Sequence, residues 1–448
     1  MWPRALVAVA AAVAYLAMAP SVVNGDGLGY LKAALAGTLY PGHLGYVPLL
    51  AMVAKLAGAT RPIELLWPAR LLSALAAAVA IALVGSIAER RSGARASGIA
   101  ASVGLAVSWG ALSAGSDVES YAPALGALVA ALWCADRQWP IAGGLLCAAA
   151  ALLHVENVLF VAVAALVCER RRGWLVAAAA LPIATAYAIV LPAHGVGWIA
   201  GASHGLRYPL RAWTPFVALY GACKALVYAP YPYEASWARV VGCFAVGAAA
   251  AAALATSARR IFSRAATAAW IAPYALVGIG FFASDAERWT FLLPLLWLSA
   301  TATAATTRRA LIVAACVAAA NVVLWLPTAK DATVRVRAEA AARHLADGDV
   351  VIGPGHGWDE YLGFWDGPRV TTFPLVYWAG ALGRDALPAA VARAVVGHRT
   401  FLARFADESD PMGWKELRLF GVTRQNAHTL LPSGHALDVG DGLSRWDP

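Results

Sequence analysis

The sequence predicts an all-α polytopic membrane domain with about 11 transmembrane helices, followed by a small soluble α/β domain. The chain has 448 residues, of which 60% are hydrophobic and 14% charged, and its mean hydropathy is +0.63. A soluble protein carries about a quarter charged residues, so a cytosolic enzyme is excluded. Residues 1–327 contain 22 Lys and Arg against 11 Asp and Glu, whereas residues 328–448 contain 13 against 15. The positive charge belongs to the apolar part, which removes the reason to expect a nucleic acid partner.

Eleven apolar segments are predicted to cross the membrane. Most are rich in Ala, Leu and Val and about long enough for ~30 Å of hydrocarbon. The first is interpreted as an uncleaved span, because its apolar run is too long for the h-region of a signal peptide. The segments are 2–23, 67–88, 97–114, 118–135, 140–153, 155–168, 174–192, 237–256, 266–283, 289–306 and 309–327.

The charges of the connecting loops orient these segments. With a cytoplasmic N-terminus, Arg4 and alternate short connections contain 13 of the 22 basic residues, the pattern expected of a cytoplasmic face. Residues 140–168 form either one long helix or two short helices that turn near His154. Two helices keep Arg137 and the Arg170–Arg172 cluster on one side, so two are predicted. An odd number of spans then places residues 328–448 outside the cytoplasm.

Two long loops are predicted at the outer face, 24–66 and 193–236. Each contains an apolar stretch, 44–58 and 214–230, that is expected to lie along the membrane surface rather than cross it. A crossing at 44–58 would reverse every later loop and place the arginine clusters outside.

The C-terminal part, residues 328–448, is predicted to be a small α/β domain. Residues 349–353 have the pattern of a buried strand that runs into a Gly/Pro turn, and residues 333–346 have helical spacing. Further candidate strands are 369–373 and 400–405, and further candidate helices are 385–397 and 413–420.

Asp26 is the first candidate for chemistry, because it follows the first predicted span in a glycine-rich turn at the edge of the membrane. Two interpretations are open at this point. Asp26 is either a catalytic carboxylate on a tight turn or the capping residue of a helix over 28–38. The motif Pro41-Gly42-His43-Leu44-Gly45-Tyr46 follows in the same loop and leads into the apolar stretch.

An Asp after the first span, followed by a His/Pro/Gly/Tyr cluster, resembles the GT-C superfamily of polytopic membrane glycosyltransferases that use polyprenyl-phosphate-linked sugars, of the protein mannosyltransferase and aminoarabinose transferase type. Three later motifs are also similar to that superfamily: Arg70-Leu71-Leu72-Ser73, Asp117-Val118-Glu119-Ser120-Tyr121 and Ala286-Glu287-Arg288-Trp289. The order and sidedness of these short motifs carry the resemblance, which covers residues 1–327. The chain departs from the superfamily at His43-Leu44-Gly45, where His-Pro-Pro is frequent, and at His154, where a Lys is frequent.

The resemblance implies an enzyme at the outer face of the cytoplasmic membrane, in which Asp26 is the general base of an inverting sugar transfer. A cation must then stabilise the leaving lipid phosphate. Arg288 is the first candidate, with Arg207 and Arg211 as alternatives. For Arg288 the competing interpretation is an interface arginine that snorkels beside Trp289.

Several further residues are candidate substrate contacts, and four of them have a structural alternative. For His43 the alternative is a packed loop histidine, for Asp117 ordinary loop solvation, and for His154 and Glu156 a structural hydrogen bond between them. Carboxylates and imidazoles from two loops also suit a divalent cation, although no cofactor follows from the sequence. The candidate contacts are His43, Tyr46, Asp117, Glu119, Tyr121, His154 and Glu156.

In the C-terminal domain the loop Gly353–Tyr361 either binds the acceptor or is a structural turn, and the turn is favoured. The aromatic residues of this domain either stack on sugars or seat the domain on the membrane. They are Trp358, Tyr361, Phe364, Trp365, Tyr377 and Trp378.

The leading hypothesis is therefore a polyprenyl-phosphate-dependent glycosyltransferase with a lipid, glycan or protein acceptor. A transporter or flippase of a lipid-linked glycan is the alternative. It predicts functional charges near the bilayer midplane, whereas the candidate charges of this chain lie at the outer ends of its spans. A non-catalytic GT-C-like membrane protein is the third hypothesis, and it predicts that Asp26 points away from any cavity.

Overall fold

The computed structural model describes residues 2–193, 215–230, 235–282, 285–365, 367–405, 413–414 and 417–447. The chain forms two compact units. The first contains residues 1–60 and 64–329, and the second contains residues 61–63 and 330–448. The predicted catalytic role of residues 1–327 and the predicted extracytoplasmic position of 328–448 stay predictions.

The first unit is helical. Its elements are α1 (Trp2–Ala17), α2 (Gly25–Ala36), α3 (Tyr46–Ala57), α4 (Pro62–Ser92), α5 (Arg95–Val107), α6 (Trp109–Ser116), α7 (Tyr121–Asp136), α8 (Pro140–Leu153), α9 (Phe160–Val167), α10 (Arg172–Thr185), α11 (Pro215–Leu226), α12 (Trp237–Ser257), α13 (Arg264–Phe282), α14 (Glu287–Thr290), α15 (Leu293–Ala300) and α16 (Ala304–Ala329). Each of the eleven predicted segments overlaps at least one of these helices.

Four helical stretches of the described residues are long and apolar enough to cross a membrane: Pro62–Ser92, Arg172–Val190, Trp237–Ser257 and Ala304–Ala342. A fifth is added when α5 and α6, between which the chain bends by 63°, are taken as one bent span. The protein is therefore a multi-pass membrane protein, whereas the count of eleven crossings stays a prediction.

The bend between α5 and α6 is held by side chains from other helices. Ser108 has extended backbone angles, which interrupts the helical hydrogen bonds. Its hydroxyl accepts a hydrogen bond from Trp297 Nε1 at 2.9 Å. The carbonyl of Val107 accepts one from Asn321 Nδ2 at 2.7 Å, and Asn321 also bonds Leu226 O and Tyr228 N. The bend thus leaves these polar groups satisfied inside an apolar bundle.

The chain breaks at His154, as predicted. Helix α8 ends at Leu153, His154 is extended, and a 3-10 turn over Val155–Leu159 leads into α9. The prediction of two short helices over 140–168 is confirmed.

The N-terminal Arg4 and three of the basic connections lie close to one another. Arg4, before α1, forms an ion pair with Glu89 at 2.6 Å near the end of α4. Arg91 donates to Asp136 at 2.6 Å at the end of α7, and the N–H of Arg170 donates to Gln138 at 3.1 Å. These contacts join connections that the charge pattern assigns to one face.

Small residues bring the helices of this unit into close contact. A Cβ added at Gly126 of α7 would lie 2.8 Å from the carbonyl oxygen of Ala76 in α4. Gly144 of α8 lies similarly close to the backbone of Leu175 in α10. Such contacts explain how an Ala- and Gly-rich sequence packs inside a membrane.

The predicted surface stretch 44–58 forms α3, and 214–230 contains α11. One face of α3 is buried, whereas Leu56 is 81% exposed on the other. This amphipathic pattern agrees with the surface position predicted for α3, which stays a prediction.

The second unit contains a five-stranded sheet in the order β2-β1-β3-β5-β4. Strands β1 (Val350–Gly353), β2 (Thr371–Pro374) and β3 (Thr400–Ala403) are parallel, and β4 (His435–Gly440) and β5 (Leu443–Asp447) add an antiparallel hairpin. Helices α17 (Thr333–Ala342), α18 (Leu375–Leu382) and α19 (Leu387–Val395) complete it.

The three predicted strands are confirmed within a few residues, and the hairpin and α18 were missed. The turn of the hairpin is Asp441-Gly442, with φ of +51° and +75°. This pair of residue types favours tight hairpins and was the available signal. Of the predicted helix 413–420, residues 413–414 and 417–420 are described, and Arg418–Phe420 is a 3-10 turn.

Candidate functional site

Asp26 lies in the first turn of α2, and its side chain is exposed. The helix begins at Gly25, earlier than predicted, because Asn24 is its N-cap and accepts a hydrogen bond from the N–H of Gly27. Asp26 is not the capping residue, so that interpretation of Asp26 is wrong. A carboxylate at this position is stabilised by the positive end of the helix dipole.

The loop before α7 binds the start of α2. Asp117 Oδ2 accepts a hydrogen bond from the backbone N of Asn24 at 2.9 Å, and the amide nitrogen of Asn24 donates to Glu119. Arg70 of α4 pairs with Asp117 Oδ1 at 3.3 Å, and both side chains are buried. The expectation that Asp117 is solvated in an ordinary loop is wrong, since Asp117 is 5% exposed. Burial raises the pKa of Asp117, and the Arg70 guanidinium opposes that rise.

The two segments also meet through their backbones at Gly27. A Cβ added there would lie 2.6 Å from the carbonyl oxygen of Val118 and 2.8 Å from Cγ2 of Val23. At Gly29, two residues further along α2, an added Cβ has open space. The closeness of α2 to the 117–119 loop therefore requires glycine at position 27 in particular.

Carboxyl groups from three elements share this region. Burial raises the pKa of Glu119 well above its ordinary value, and the negative charges of Glu287 and Asp26 raise it further. Burial also raises the pKa of Glu287, with contributions from Asp285 and Asp26, whereas Arg288 opposes the rise. The start of α2, the loop before α7 and the start of α14 are thus within electrostatic reach of one another.

Arg288 already has carboxylate partners. It forms an ion pair with Glu156, and its Nε lies 3.9 Å from Asp285 Oδ2. Its side chain is 20% exposed, so the guanidinium is largely held within the protein. Arg288 is therefore more enclosed than an interface arginine whose side chain extends toward the membrane surface. Arg207 and Arg211, the alternative phosphate contacts, lie outside the described residues.

His43 and His154 lie in one aromatic cluster. Their ring centroids are 4.9 Å apart, and Tyr121 lies 4.4 Å from His154. His43 Nδ1 is 3.1 Å from the carbonyl oxygen of Leu153, to which it donates. Burial lowers the pKa of His43 to about 3, with a further contribution from His154, so its ring is neutral at physiological pH.

The structural alternative for His154 and Glu156 is not formed. The distance between His154 Nδ1 and Glu156 Oε2 is 4.0 Å, too long for a hydrogen bond. Glu156 pairs with Arg288 instead, and His154 packs among aromatic rings.

Tyr30 connects this cluster to α2. Its ring lies 5.2 Å from His43 and 5.0 Å from Tyr46, which is fully buried. Tyr30 was not predicted as a site residue, although it stands four residues after Asp26, on the same side of a helix that begins at Gly25. Arg70 was recognised only as part of a motif. An ionisable side chain in an apolar segment is itself a signal of function.

The loop after β1 is held as a structural turn. Gly355 and His356 have φ of +88° and +58°, and Asp359 accepts a hydrogen bond from the Gly355 N–H at 3.0 Å. Arg404, fully buried, donates to Gly355 O at 3.0 Å and to Asp359 Oδ1 at 2.6 Å. These contacts agree with the favoured interpretation of a turn.

The aromatic side chains of the second unit divide into two groups. Tyr377 and Trp378 are 37% and 40% exposed, and Trp378 stacks on Phe373. The other four are at most 7% exposed and pack on one another or in the core, so they offer no open ring face: Trp358, Tyr361, Phe364 and Trp365.

A metal centre is not apparent in the part of the chain that the structure describes. There, no group of three or more His, Cys, Asp or Glu side chains is arranged to hold a metal ion. The six cysteines are all free thiols, and five of them are buried.

A solved structure of a protein bound to undecaprenyl phosphate has the same fold. This chain is similar to ArnT from Cupriavidus metallidurans, whose crystal structure contains undecaprenyl phosphate. The match covers 99% of this chain and 97% of that chain, at 13% sequence identity and a TM-score of 0.56. No protein-family model matches the sequence, and no curated protein matches it. This structural likeness confirms the predicted fold, a helical membrane domain of the kind seen in ArnT.

Proposed function

We propose that this protein, which shares the fold of ArnT, is an inverting glycosyltransferase that takes a sugar from a polyprenyl-phosphate donor. The reaction takes place at the outer face of a bacterial cytoplasmic membrane and serves glycosylation in the cell envelope. One observation carries the proposal: the exposed carboxylate of Asp26 lies within electrostatic reach of the turn that contains Arg288, in a fold that holds undecaprenyl phosphate in ArnT.

Asp26 acts as the general base. Its carboxylate takes the proton of an acceptor hydroxyl as that oxygen forms a bond to the anomeric carbon of the sugar. The bond from that carbon to the phosphate oxygen breaks at the same time, and the electron pair leaves with the lipid phosphate. A single displacement inverts the stereochemistry at the anomeric carbon. Asp26 suits this role because it is exposed in the first turn of α2, where the helix dipole favours the ionised form.

Arg288 stabilises the phosphate that leaves. A fixed cation at the developing charge lowers the barrier more than a mobile one, since no reorganisation is needed during the reaction. Glu156 and Asp285 provide that fixation, because they hold the guanidinium while part of it stays exposed. Arg207 and Arg211 are proposed to assist from the loop 193–236.

His43, Tyr46, Tyr121, His154 and Glu156 are proposed to surround the sugar. The neutral ring of His43 and the nearby aromatic faces suit a sugar, which presents hydroxyls at its edge and C–H groups on its face. Asp117 and Glu119 already bind Arg70 and Asn24, so their contribution to the substrate is indirect.

The test is sugar transfer by the full-length protein in lipid nanodiscs. A panel of polyprenyl-phosphate sugars is supplied with extracted envelope lipids and glycans, and released lipid phosphate and modified acceptor are measured by mass spectrometry. We expect the wild type to release lipid phosphate and Asp26→Asn to release it about 10²- to 10⁴-fold more slowly. Glu64→Gln is the matched control, because Glu64 is an exposed carboxylate of the same predicted outer loop and accepts hydrogen bonds from Thr60, four residues before it.

Two results would overturn the proposal. Normal transfer by Asp26→Asn would remove the base from the mechanism. Movement of intact lipid-linked sugar between the leaflets, without release of lipid phosphate, would identify a flippase instead.

A further inference from the structure

We infer that Asn24 is a positioning residue for Asp26, and that Asp117, Arg70 and Glu119 act through the chain around Asn24. The inference rests on the proposed role of Asp26 as general base. It assigns Asp117 and Glu119 to holding the base in place rather than to contact with the substrate.

The backbone on both sides of the turn before α2 is tied to one buried ion pair. Arg70 Nη2 donates to the carbonyl oxygen of Pro20 at 2.8 Å and pairs with Asp117 at 3.3 Å. The other oxygen of Asp117 accepts from the N–H of Asn24 at 2.9 Å. One guanidinium and one carboxylate therefore fix the chain four residues apart, immediately before Asp26.

The side chain of Asn24 adds a second connection. Its amide oxygen accepts from the N–H of Gly27 and so caps α2, and its amide nitrogen donates to Glu119. An asparagine side chain offers an acceptor and donors in one short planar group. Ser and Asp cap helices about as well as Asn. The cap alone therefore does not require asparagine, whereas the cap together with the bond to Glu119 does.

The third connection is the backbone contact of Gly27 with Val118. Asp26 thus lies between two residues, Asn24 and Gly27, that are both held against the 117–119 segment. A reacting group must be placed to within a fraction of an ångström. If the contacts of Asn24 are lost, the start of α2 can move, and the Asp26 carboxylate is then no longer aligned with the acceptor hydroxyl.

Asn24→Ser is the main variant for the test. It keeps a capping oxygen and removes the amide that reaches Glu119, so α2 stays capped while the connection to the 117–119 segment is lost. We expect kcat for sugar transfer to fall about 10- to 100-fold, while KM for the donor stays close to the wild-type value. A residue that contacts the donor would instead raise KM.

Double variants separate positioning from general damage. Glu119→Leu removes the same bond from the other side, so Asn24→Ser and Glu119→Leu together are expected to lower kcat no more than either change alone. In an Asp26→Asn background, Asn24→Ser is expected to lower the residual rate no further, because no base is left to position. A Glu119→Gln variant, which retains the acceptor oxygen, should keep more activity than Glu119→Leu.

Hydrogen exchange of the peptides that cover residues 20–36 gives a readout that does not need activity. We expect faster exchange there in Asn24→Ser than in the wild type, both as full-length protein in nanodiscs. Wild-type kcat in Asn24→Ser, or equal additional losses in the Asp26→Asn background, would overturn the inference while leaving the proposed function intact. A wild-type protein that is inactive with every donor overturns the proposed function and the positioning role together, and the exchange rates then report only on the contact between Asn24 and Glu119.

Discussion

Substitution of Gly27 by alanine tests the contact that holds Asp26 in place. The added Cβ would lie 2.6 Å from the Val118 oxygen, whereas ordinary van der Waals contact begins at 3.4 Å. The backbones of α2 and the 117–119 segment must therefore separate by about 0.8 Å, since a carbonyl oxygen cannot rotate away as a flexible side chain can.

Gly29→Ala is the matched control, because it makes the same chemical change in the same helix with nothing within 4 Å of the new Cβ. Replacing glycine by alanine in a helix stabilises it by about 0.8–1 kcal/mol, and this gain applies to both variants. Overpacking costs about 1–3 kcal/mol at Gly27 alone. Gly27→Ala is thus expected to be less stable than Gly29→Ala by about 1–3 kcal/mol.

The assay is thermal unfolding of both variants in one detergent or nanodisc preparation, followed by sugar transfer. A displacement near 1 Å at a catalytic group lowers a rate about 100-fold, so Gly27→Ala should lose most of its kcat while Gly29→Ala retains it. If Gly27→Ala is as stable and as active as Gly29→Ala, the contact with Val118 does not position the base.

Three further predictions concern stability. Because the pKa of Glu119 is raised in the folded protein, its protonated form contributes stability that is fully present below the ordinary pKa of 4.5 and is lost as pH rises through the folded-state pKa. Glu119→Gln should therefore flatten the dependence of the unfolding temperature on pH. An unchanged slope would refute this role of Glu119. Asn321→Leu leaves three buried backbone groups without this partner and should destabilise the first unit by about 3 kcal/mol or more, whereas wild-type thermal stability would contradict the role of Asn321 at the bend. Asp359→Ala removes the carboxylate bound to buried Arg404 and should destabilise the second unit by about 3 kcal/mol or more. The measurement is limited proteolysis within residues 330–448 of the full-length protein. An unchanged rate of cleavage would argue against a stabilising role of this ion pair.

Local pattern predicted much of the architecture, because each signal there is carried by neighbouring residues. Apolar runs identified the helices, and the short polar stretch at His154 identified a break that the structure confirms. The buried strand at Val350–Gly353 was recognised for the same reason. The hairpin β4–β5 was missed because β4 is largely exposed and does not consist of a continuous apolar run like that of β1.

Most residues of the candidate site were named from the sequence, whereas the contacts between them were not. Asp26, Asp117 and Glu119 were singled out because they follow or begin predicted spans in short motifs that resemble the GT-C superfamily. Their division into one exposed carboxylate and two buried ones depends on Arg70 and Asn24, which lie far from Asp117 and Glu119 in the sequence. No periodicity relates residues separated by 47 or 93 positions, so the pairing follows from the packing of α2, α4 and the loop before α7.

The sequence by itself determined that this is a multi-pass membrane protein with its basic connections on alternate loops, because hydrophobic burial and loop charge act on short segments. It also determined the resemblance to the GT-C superfamily, through the order of motifs along the chain. Only the tertiary structure decided that Asn24 rather than Asp26 caps α2, that Arg70 neutralises Asp117, and that Glu156 holds Arg288. The physical reason is that hydrogen bonds and ion pairs are made across helices, where distance in space is unrelated to distance along the chain.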